Sequence, residues 1–515
     1  MRYYLGIDNG GTTTKASLFT ETGREAGTAS MATKMITSFP GFTERNMDEM
    51  WDANCAVIRE VLRKTAVAPD RVAAVACCGH GKGLYLWGKD GRPARNGIIS
   101  TDNRAWKYPL RWEKDGTADK VFRITCQHIM ACQPVSLLAW IQEHEPQTVD
   151  KIRWIFECKD YIRFRLTGEA FAELTDFSGA NLVNLRTRRY DGELLKLFGL
   201  GWIRDMLPPL RNSADVCGRV TRKAAEETGL AEGTPVAGGM FDIDACAMAL
   251  NVVDEDHICM IAGTWSINEY LRRQAVLDGS VGMNSVFCIP EYYLIEESSA
   301  TSAGNNEWFI RTLLPELREK CRSEGKNIYS VMDEAVASIP AEEFCPIFTP
   351  FLMASNVHPN AKASFVGISN YHRREHLMRS VYEGIAFCHK YHLDRLTASR
   401  PFPAKSIRLA GGVAHSAFWS QMFADVMKYP VEVVDARETG TLGCAITAAV
   451  AAGDYPDLPS AAGAMSKVAG TFYPDPGTRA VYEKKYEMYR EILDALDPVW
   501  NDMQKLIDGG KREEC

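Results

Sequence analysis

Apolar and polar positions follow two different periods along this chain. Residues 3–7 (YYLGI) are largely apolar, residues 8–14 (DNGGTTT) are polar and glycine-rich, and residues 16–19 (ASLF) are largely apolar again before the polar stretch ETGR. Strand, tight turn, strand is the pattern of a β-hairpin. Between residues 48 and 64 the apolar positions include Met50, Ala53, Val57, Val61 and Leu62, a spacing that predicts an α-helix. Residues 71–78 (RVAAVACC) read as a buried strand opening into the loop GHGKG, and residues 134–145 as a second helix. Helices and short apolar strands keep alternating, so the predicted class is α/β.

A related grammar returns later. Residues 258–262 form an apolar strand ending in Gly263-Thr264, followed by residues 266–270. Two strand–Gly/Thr–strand units hint at an internal duplication, with a phosphate-contacting turn in each half. Between them lies VAGGMFDIDACA, glycine-rich before its acidic residues and placed where the chain would cross between domains. Residues 480–507 predict a charged amphipathic helix packed on the second half.

Bulk properties narrow the function. The chain has 515 residues, 46% hydrophobic and 24% charged, the composition of an ordinary soluble globular protein. A net charge of -7 and a pI near 5.9 argue against nucleic acid, which needs a basic patch or stripe. No apolar run approaches the length of a membrane helix, and MRYYLGIDNGG has no signal-peptide pattern; a cytoplasmic location is expected. The 15 cysteines are scattered, odd in number and free of CxxC pairs, which predicts reduced, mostly buried thiols rather than disulfides or a zinc site.

Three segments carry candidate chemistry. In Asp8-Asn9-Gly10-Gly11-Thr12-Thr13-Thr14-Lys15, two glycines allow backbone N–H groups to approach a polyanion. Thr12, Thr13 and Lys15 can meet phosphate oxygens, and Asp8 at the strand end can hold a metal through water. The segment is not a Walker A loop. In Gly238-Gly239-Met240-Phe241-Asp242-Ile243-Asp244, two acids follow a Gly-Gly turn. Either could bind metal or act as a base; helix capping suits Asp244, which leaves Asp242 as the better candidate for chemistry. The third segment runs from a strand through Gly411-Gly412 into a helix near Ser416, a turn that lets a flat base or a phosphate approach the backbone. His372-Arg373-Arg374-Glu375-His376 matches H-x-x-E-H, but its polar context and missing third ligand make it a solvated helix start. His389 and His392 read as ordinary helix positions.

Together these segments resemble the FGGY carbohydrate kinases over essentially the whole chain. LGIDNGGTTTKA is similar to the family's first phosphate loop, with Gly11 where a threonine is usual. FTERNMDEMW resembles the early Glu-containing stretch. KDYIRFRLTG, with Asp176 and Ser178 shortly after, is similar to the mid-domain signature. GGMFDIDACA resembles the catalytic-aspartate segment, IAGTWS the second phosphate loop, and SAGNNEWF the Gly-x-x-x-Trp segment. GGVAHSAFWSQMFADV with ETGTLGCAITAA is similar to the adenosine-site signature.

The resemblance implies two ribonuclease-H-like domains of the actin and hexokinase type with an interdomain cleft, residues 1–246 for sugar, first phosphate loop and catalytic aspartate, and residues 247–515 for ATP. It implies ATP and Mg²⁺ as cofactors and a small sugar as substrate, and it puts the general base on Asp242. ATP would be met by Thr12, Thr13, Lys15, Gly263, Thr264, Gly411, Gly412 and Ser416, the sugar by His80, Gly81, Lys82, Asp102 and Asp242, and the metal by Asp8. A homodimer is common in such enzymes, although no stretch here reads as an interface.

Departures bear on the acceptor. Lys82 sits where xylulokinases present histidine and glycerol kinases glutamate; Leu137 replaces a usual lysine; Ser355-Asn356 replace a Gly-Glu-Arg stretch; Val413 stands for a third glycine. The combination GKGL, PVSLL, GTW, GNNEWF and AHS resembles the subgroup that phosphorylates L-xylulose and 3-keto-L-gulonate. Lys82 could pair with a sugar-acid carboxylate, or only orient hydroxyls or face solvent. L-ribulose, D-xylulose, erythritol or glycerol as acceptor, and an inactive sugar-binding sensor, are the competing readings.

Overall fold

The computed structural model describes residues 2–353, 355 and 357–509, with side chains to residue 507. Asn356, one of the departures named above, lies outside the described residues. The chain divides into two compact units: Met1–Val253 with Leu271–Ile295 and Asp435–Lys467, and Asp254–Tyr270 with Glu296–Val434 and Val468–Cys515.

The predicted hairpin forms the centre of the first unit. Tyr3–Asn9 pairs antiparallel with Thr13–Thr20, so that Asp8 faces Lys15 in register. Val72–Gly79 adds in parallel on the other side of the first strand, followed by Pro235–Ala237 in parallel and Val216–Arg219 antiparallel. The predicted helix runs Met47–Thr65; Asn46 caps it by accepting from the N–H groups of Asp48 and Glu49, and Arg63 and Lys64 close its last turn, charges placed to suit the helix dipole. Its apolar face, with Trp51, Val57, Ile58 and Val61, packs into a core shared with Leu5, Ile7, Leu18 and Val75. Each such buried side chain contributes about 1.5–3 kcal/mol by leaving water. A late segment, the helix Thr439–Ala451, is nearly all buried and belongs to this unit.

The second unit repeats the order of orientations. Residues 266–270 lie antiparallel on His257–Ala262, Ser406–Gly411 is parallel to it, Val431–Val434 is again parallel, and Val468–Phe472 is antiparallel. The short sequence echo between the two Gly/Thr turns therefore marks a repeat of sheet architecture. The C-terminal helix spans Arg479–Gly509 and buries Tyr482, Tyr489, Leu493 and Trp500. Among the described residues no helix is long and apolar enough to cross a membrane. The described cysteines are all buried except Cys246, which is partly so, and none is in a disulfide.

One reading of histidine needs correction. His376 is not solvated: within the otherwise partly exposed first turn of the helix Arg374–Ala398 it is 1% exposed, its Nδ1 accepts from the Arg373 N–H and its Nε2 meets Glu343 at 2.7 Å. His389, by contrast, lies within that helix as expected and belongs to no metal-binding cluster among the described residues. It is fully buried, with Nδ1 at 3.0 Å from Ser266 Oγ and 3.1 Å from Asn268 Oδ1, and Nε2 at 2.8 Å from Ser302 Oγ. Burial lowers its pKa to about 3, so the ring is neutral.

Candidate active site

Asp8 is the penultimate residue of the first strand and faces Lys15 in register. Gly10 and Gly11 make the turn, and Thr12 and Thr13 stand exposed and half-exposed at its exit. Lys15 Nζ is 2.7 Å from Glu438 Oε2. Burial raises the Asp8 pKa and Glu438 adds to the rise, while Lys15 opposes it. The helix that starts at Thr439 brings Gly440 against Asp8, where a β-carbon would lie 2.7 Å from Asp8 Oδ2. Only glycine permits that approach.

Asp242 opens the helix Asp242–Ala249, directly after the strand Met240–Phe241. Its pKa stands well above the usual carboxylate range because burial, then the charges of Asp8 and Asp176, disfavour ionisation; Lys82 and the Ile243 N–H pull it partly back. The expectation that Asp244 caps this helix is wrong. Phe241 holds the cap position, and Asp244, fully buried, instead accepts from the Cys288 N–H at 3.1 Å, tying down a loop distant in sequence.

The loop after the 72–79 strand carries His80, Gly81 and Lys82. His80 Nε2 is 2.8 Å from the Tyr85 hydroxyl; burial first and the Arg45 charge second lower its pKa to about 4. A β-carbon on Gly81 would lie 2.3 Å from the Phe241 ring, so this glycine lets the loop lie flat against the residue preceding Asp242. Lys82 adopts a left-handed backbone with φ of 63°, and its Nζ sits 5.6 Å from the centroid of the Phe241 ring. Asp102 is placed differently from these. Its side chain is fully buried, with Arg104 donating through Nε at 2.9 Å and Nη2 at 2.8 Å and the Thr43 N–H at 2.6 Å.

Sequence reasoning missed what lies behind Asp242. Lys159 is fully buried, 2.9 Å from Asp176 and 3.3 Å from both Asp160 and Glu173. Arg163 is 2.8 Å from Asp160 and donates to the Gly238 carbonyl at 2.6 Å, which fixes the Gly-Gly turn before Asp242. Glu173 accepts from the Thr175 hydroxyl at 2.6 Å, and Thr175 Oγ1 accepts from the Phe241 N–H at 2.9 Å. The available signal was the density of charge in KDYIRFRLTG, too high for an exposed amphipathic helix to require. Burial first, and Asp176 second, push the Glu157 carboxyl well above the usual carboxylate range.

The second unit gathers its own set. Gly411 pairs with Ala262 in register, and with φ of 89° it brings the Gly411-Gly412 turn beside Gly263-Thr264. Gly304, at the start of the helix Gly304–Leu313, would place a β-carbon 3.5 Å from Thr264 Cγ2. Ser416 caps the helix Ala417–Met427 by accepting from the Trp419 N–H.

The molecule thus carries two glycine–threonine turns on repeated sheets and a carboxylate held beside the first. Residues 3–249 match the N-terminal domain of the FGGY family of carbohydrate kinases, and residues 258–452 match the C-terminal domain. The chain is similar to the L-xylulose/3-keto-L-gulonate kinase of Escherichia coli, 35% identical over 96% of this chain and 97% of that protein. It is similar to a probable L-xylulose kinase of Haemophilus influenzae, 35% identical over 96% of this chain and 99% of that protein. In fold it matches a ligand-bound xylulose kinase from Lactobacillus acidophilus with a TM-score of 0.86 and 23% identity, covering 98% of this chain and 100% of the other. With both domains matched in order, the chain belongs to the FGGY family of carbohydrate kinases and is a sugar phosphotransferase.

Proposed function

We propose that this enzyme transfers the γ-phosphoryl group of ATP to a hydroxyl of L-xylulose or 3-keto-L-gulonate, with Asp242 as general base. The observation that carries the reading is Asp242 itself: a desolvated carboxylate of raised pKa, near Asp8 and Lys82, on a helix start clamped by Thr175 and Arg163. A base poised above the ordinary carboxylate range takes a proton from a hydroxyl more readily than a solvated one. The acceptor hydroxyl attacks as Asp242 receives its proton. In this reading the N–H groups of the Gly10-Gly11 turn, with Thr12, Thr13 and Lys15, meet the phosphate chain. Gly263, Thr264, Gly411, Gly412 and Ser416 serve the nucleotide, and His80, Gly81 and Lys82 serve the sugar. Asp102, saturated by Arg104 and Thr43, acts by shaping the loop it belongs to.

Asp8 fits Mg²⁺. Among the described residues there is no cluster of three or more His, Cys, Asp or Glu side chains able to hold a metal by themselves, and Mg²⁺ in kinases takes one or two carboxylates plus substrate phosphates. When bound, the ion supplies charge neutralisation on the phosphoryl group, where such catalysis is mostly won.

ADP release measured over a panel of ketoses, polyols and keto-sugar acids tests the reading. Highest kcat/KM on L-xylulose or 3-keto-L-gulonate is expected; a preference for glycerol, erythritol, L-ribulose or D-xylulose, or ATP binding without turnover, overturns it. The same L-ketose scaffold with and without a carboxylate then tests Lys82. A hydrogen bond to a charged group contributes about 1.5–3 kcal/mol, so Lys82→Met lowers kcat/KM for the sugar acid by about 10- to 150-fold. L-Xylulose turnover stays within roughly threefold. Equal losses on both substrates would mean that Lys82 does not read a carboxylate.

A further inference from the structure

We propose that Arg45 is a positioning residue that holds the Gly10-Gly11 turn and couples it to the loop carrying Asp102. The proposal rests on reading that turn as the phosphate contact. Arg45 is 2% exposed. Its Nη2 donates to the carbonyl of Gly10 at 3.2 Å and also to the carbonyl of Gly11. A two-glycine turn has no side chains with which to fix itself, and a β-carbon at Gly11 would touch nothing within 4 Å. A guanidinium bridging two successive carbonyls removes that freedom and turns the peptide N–H groups the other way.

Among the described residues no carboxylate pairs with Arg45, and its Nε and Nη1 are buried without a hydrogen-bond partner. A purely structural arginine is ordinarily satisfied on all sides. Here the charge is left uncompensated directly behind a turn suited to a polyanion, and the accepting carbonyls relay it by polarising the peptide groups.

The second half of the argument is connectivity. Glu44–Arg45 is a two-residue strand, paired antiparallel with Gly97–Ile98. Thr43, one residue earlier, donates to Asp102 and accepts from the Ile99 N–H at 3.1 Å. Glu44 binds Arg104 at 2.8 Å and also Arg95, and Arg104 grips Asp102. Three successive residues, 43 to 45, therefore link the 97–104 loop to the phosphate turn through backbone pairing and ion pairs. Any movement of that loop would reach Gly10 and Gly11 through the three residues 43 to 45.

The test compares Arg45→Lys and Arg45→Met with the wild-type enzyme, using KM for ATP, KM for the preferred sugar, and ADP affinity by calorimetry with and without that sugar. In Arg45→Met the KM for ATP rises at least tenfold and the sugar KM stays within twofold. The strengthening of ADP binding by sugar falls to near unity, and Arg45→Lys recovers part of each. Sugar and ATP KM rising together, or neither moving, or an unchanged ADP coupling ratio, overturns the proposal. If Arg45→Met does not fold, the same three readings on Arg45→Lys decide. Thr12→Ala serves as the independent arm: if it leaves ATP KM untouched, the reading of the turn fails, whatever Arg45 does.

Discussion

Asp242→Asn lowers kcat by about 10²–10⁴-fold, the usual contribution of a positioned general base, and leaves the KM for both substrates within a few-fold. The asparagine keeps size and hydrogen-bonding shape but cannot accept the hydroxyl proton. The same substitution does not destabilise the protein. A carboxylate whose folded pKa is raised costs stability at pH above its unfolded value, and in full once the pH exceeds the folded value. Burial, Asp8 and Asp176 all raise the Asp242 pKa, so removing its charge relieves the folded state at neutral pH. The melting temperature at pH 7.5 is therefore expected to equal or exceed that of the wild type, with the gain shrinking as the pH falls below the raised folded pKa and gone below the unfolded value of about 4. Retained kcat, or a lower melting temperature at neutral pH, contradicts the assignment. The acid limb of kcat/KM for the wild type should likewise fall above the range of a solvated aspartate, because the base works only when ionised.

The second large effect is on stability. Lys159 is the cation at the centre of Asp160, Glu173 and Asp176, all fully or almost fully buried. Lys159→Met matches the volume and removes the charge, which leaves three carboxylates with one cation, Arg163, between them. Breaking a buried ion pair on one side costs about 3–5 kcal/mol, and this loss should appear as an earlier transition in urea, followed by tryptophan fluorescence. Activity falls too, since Glu173 and Thr175 hold the backbone that presents Asp242. Adding Asp176→Asn recovers part of the stability. A single mutant with an unchanged midpoint would mean that the cluster contributes nothing.

The parts of this protein that could be read from the sequence are those set by neighbours in the chain. The hairpin around Gly10-Gly11, the helix expected over residues 48–64 and the strand expected over residues 71–78 each follow from local period and turn residues. Asp242 is one of two acids shortly after a Gly-Gly turn, and the local argument that separates them, a cap on Asp244, fails; the family resemblance is what puts the base on Asp242. What was hidden depends on residues far apart. Asp244 looked like a cap because its partner, the Cys288 N–H, lies 44 positions away. His389 is rightly read as a helix position, but its partners Ser266, Asn268 and Ser302 reach it from other elements and could not be read. The saturation of Asp102 needs Thr43, 59 positions earlier. A buried charge declares itself by the groups that surround it, and spacing along the chain does not encode those groups.

The return of residues 435–467 to the first unit has a consequence for biosynthesis. Glu438, beside Lys15, and Gly440, against Asp8, leave the ribosome long after the strand they cover. At elongation rates of about 5–20 residues per second, the roughly 200 residues between the end of the main N-terminal segment and this helix take roughly 10–40 s to make. Through that interval the 3–9 and 72–79 strands present an apolar face without the helix that will seal it. The nascent chain at this stage is the species most in need of a holding chaperone, and N-terminal fragments ending before residue 439 should aggregate where the full chain stays in solution.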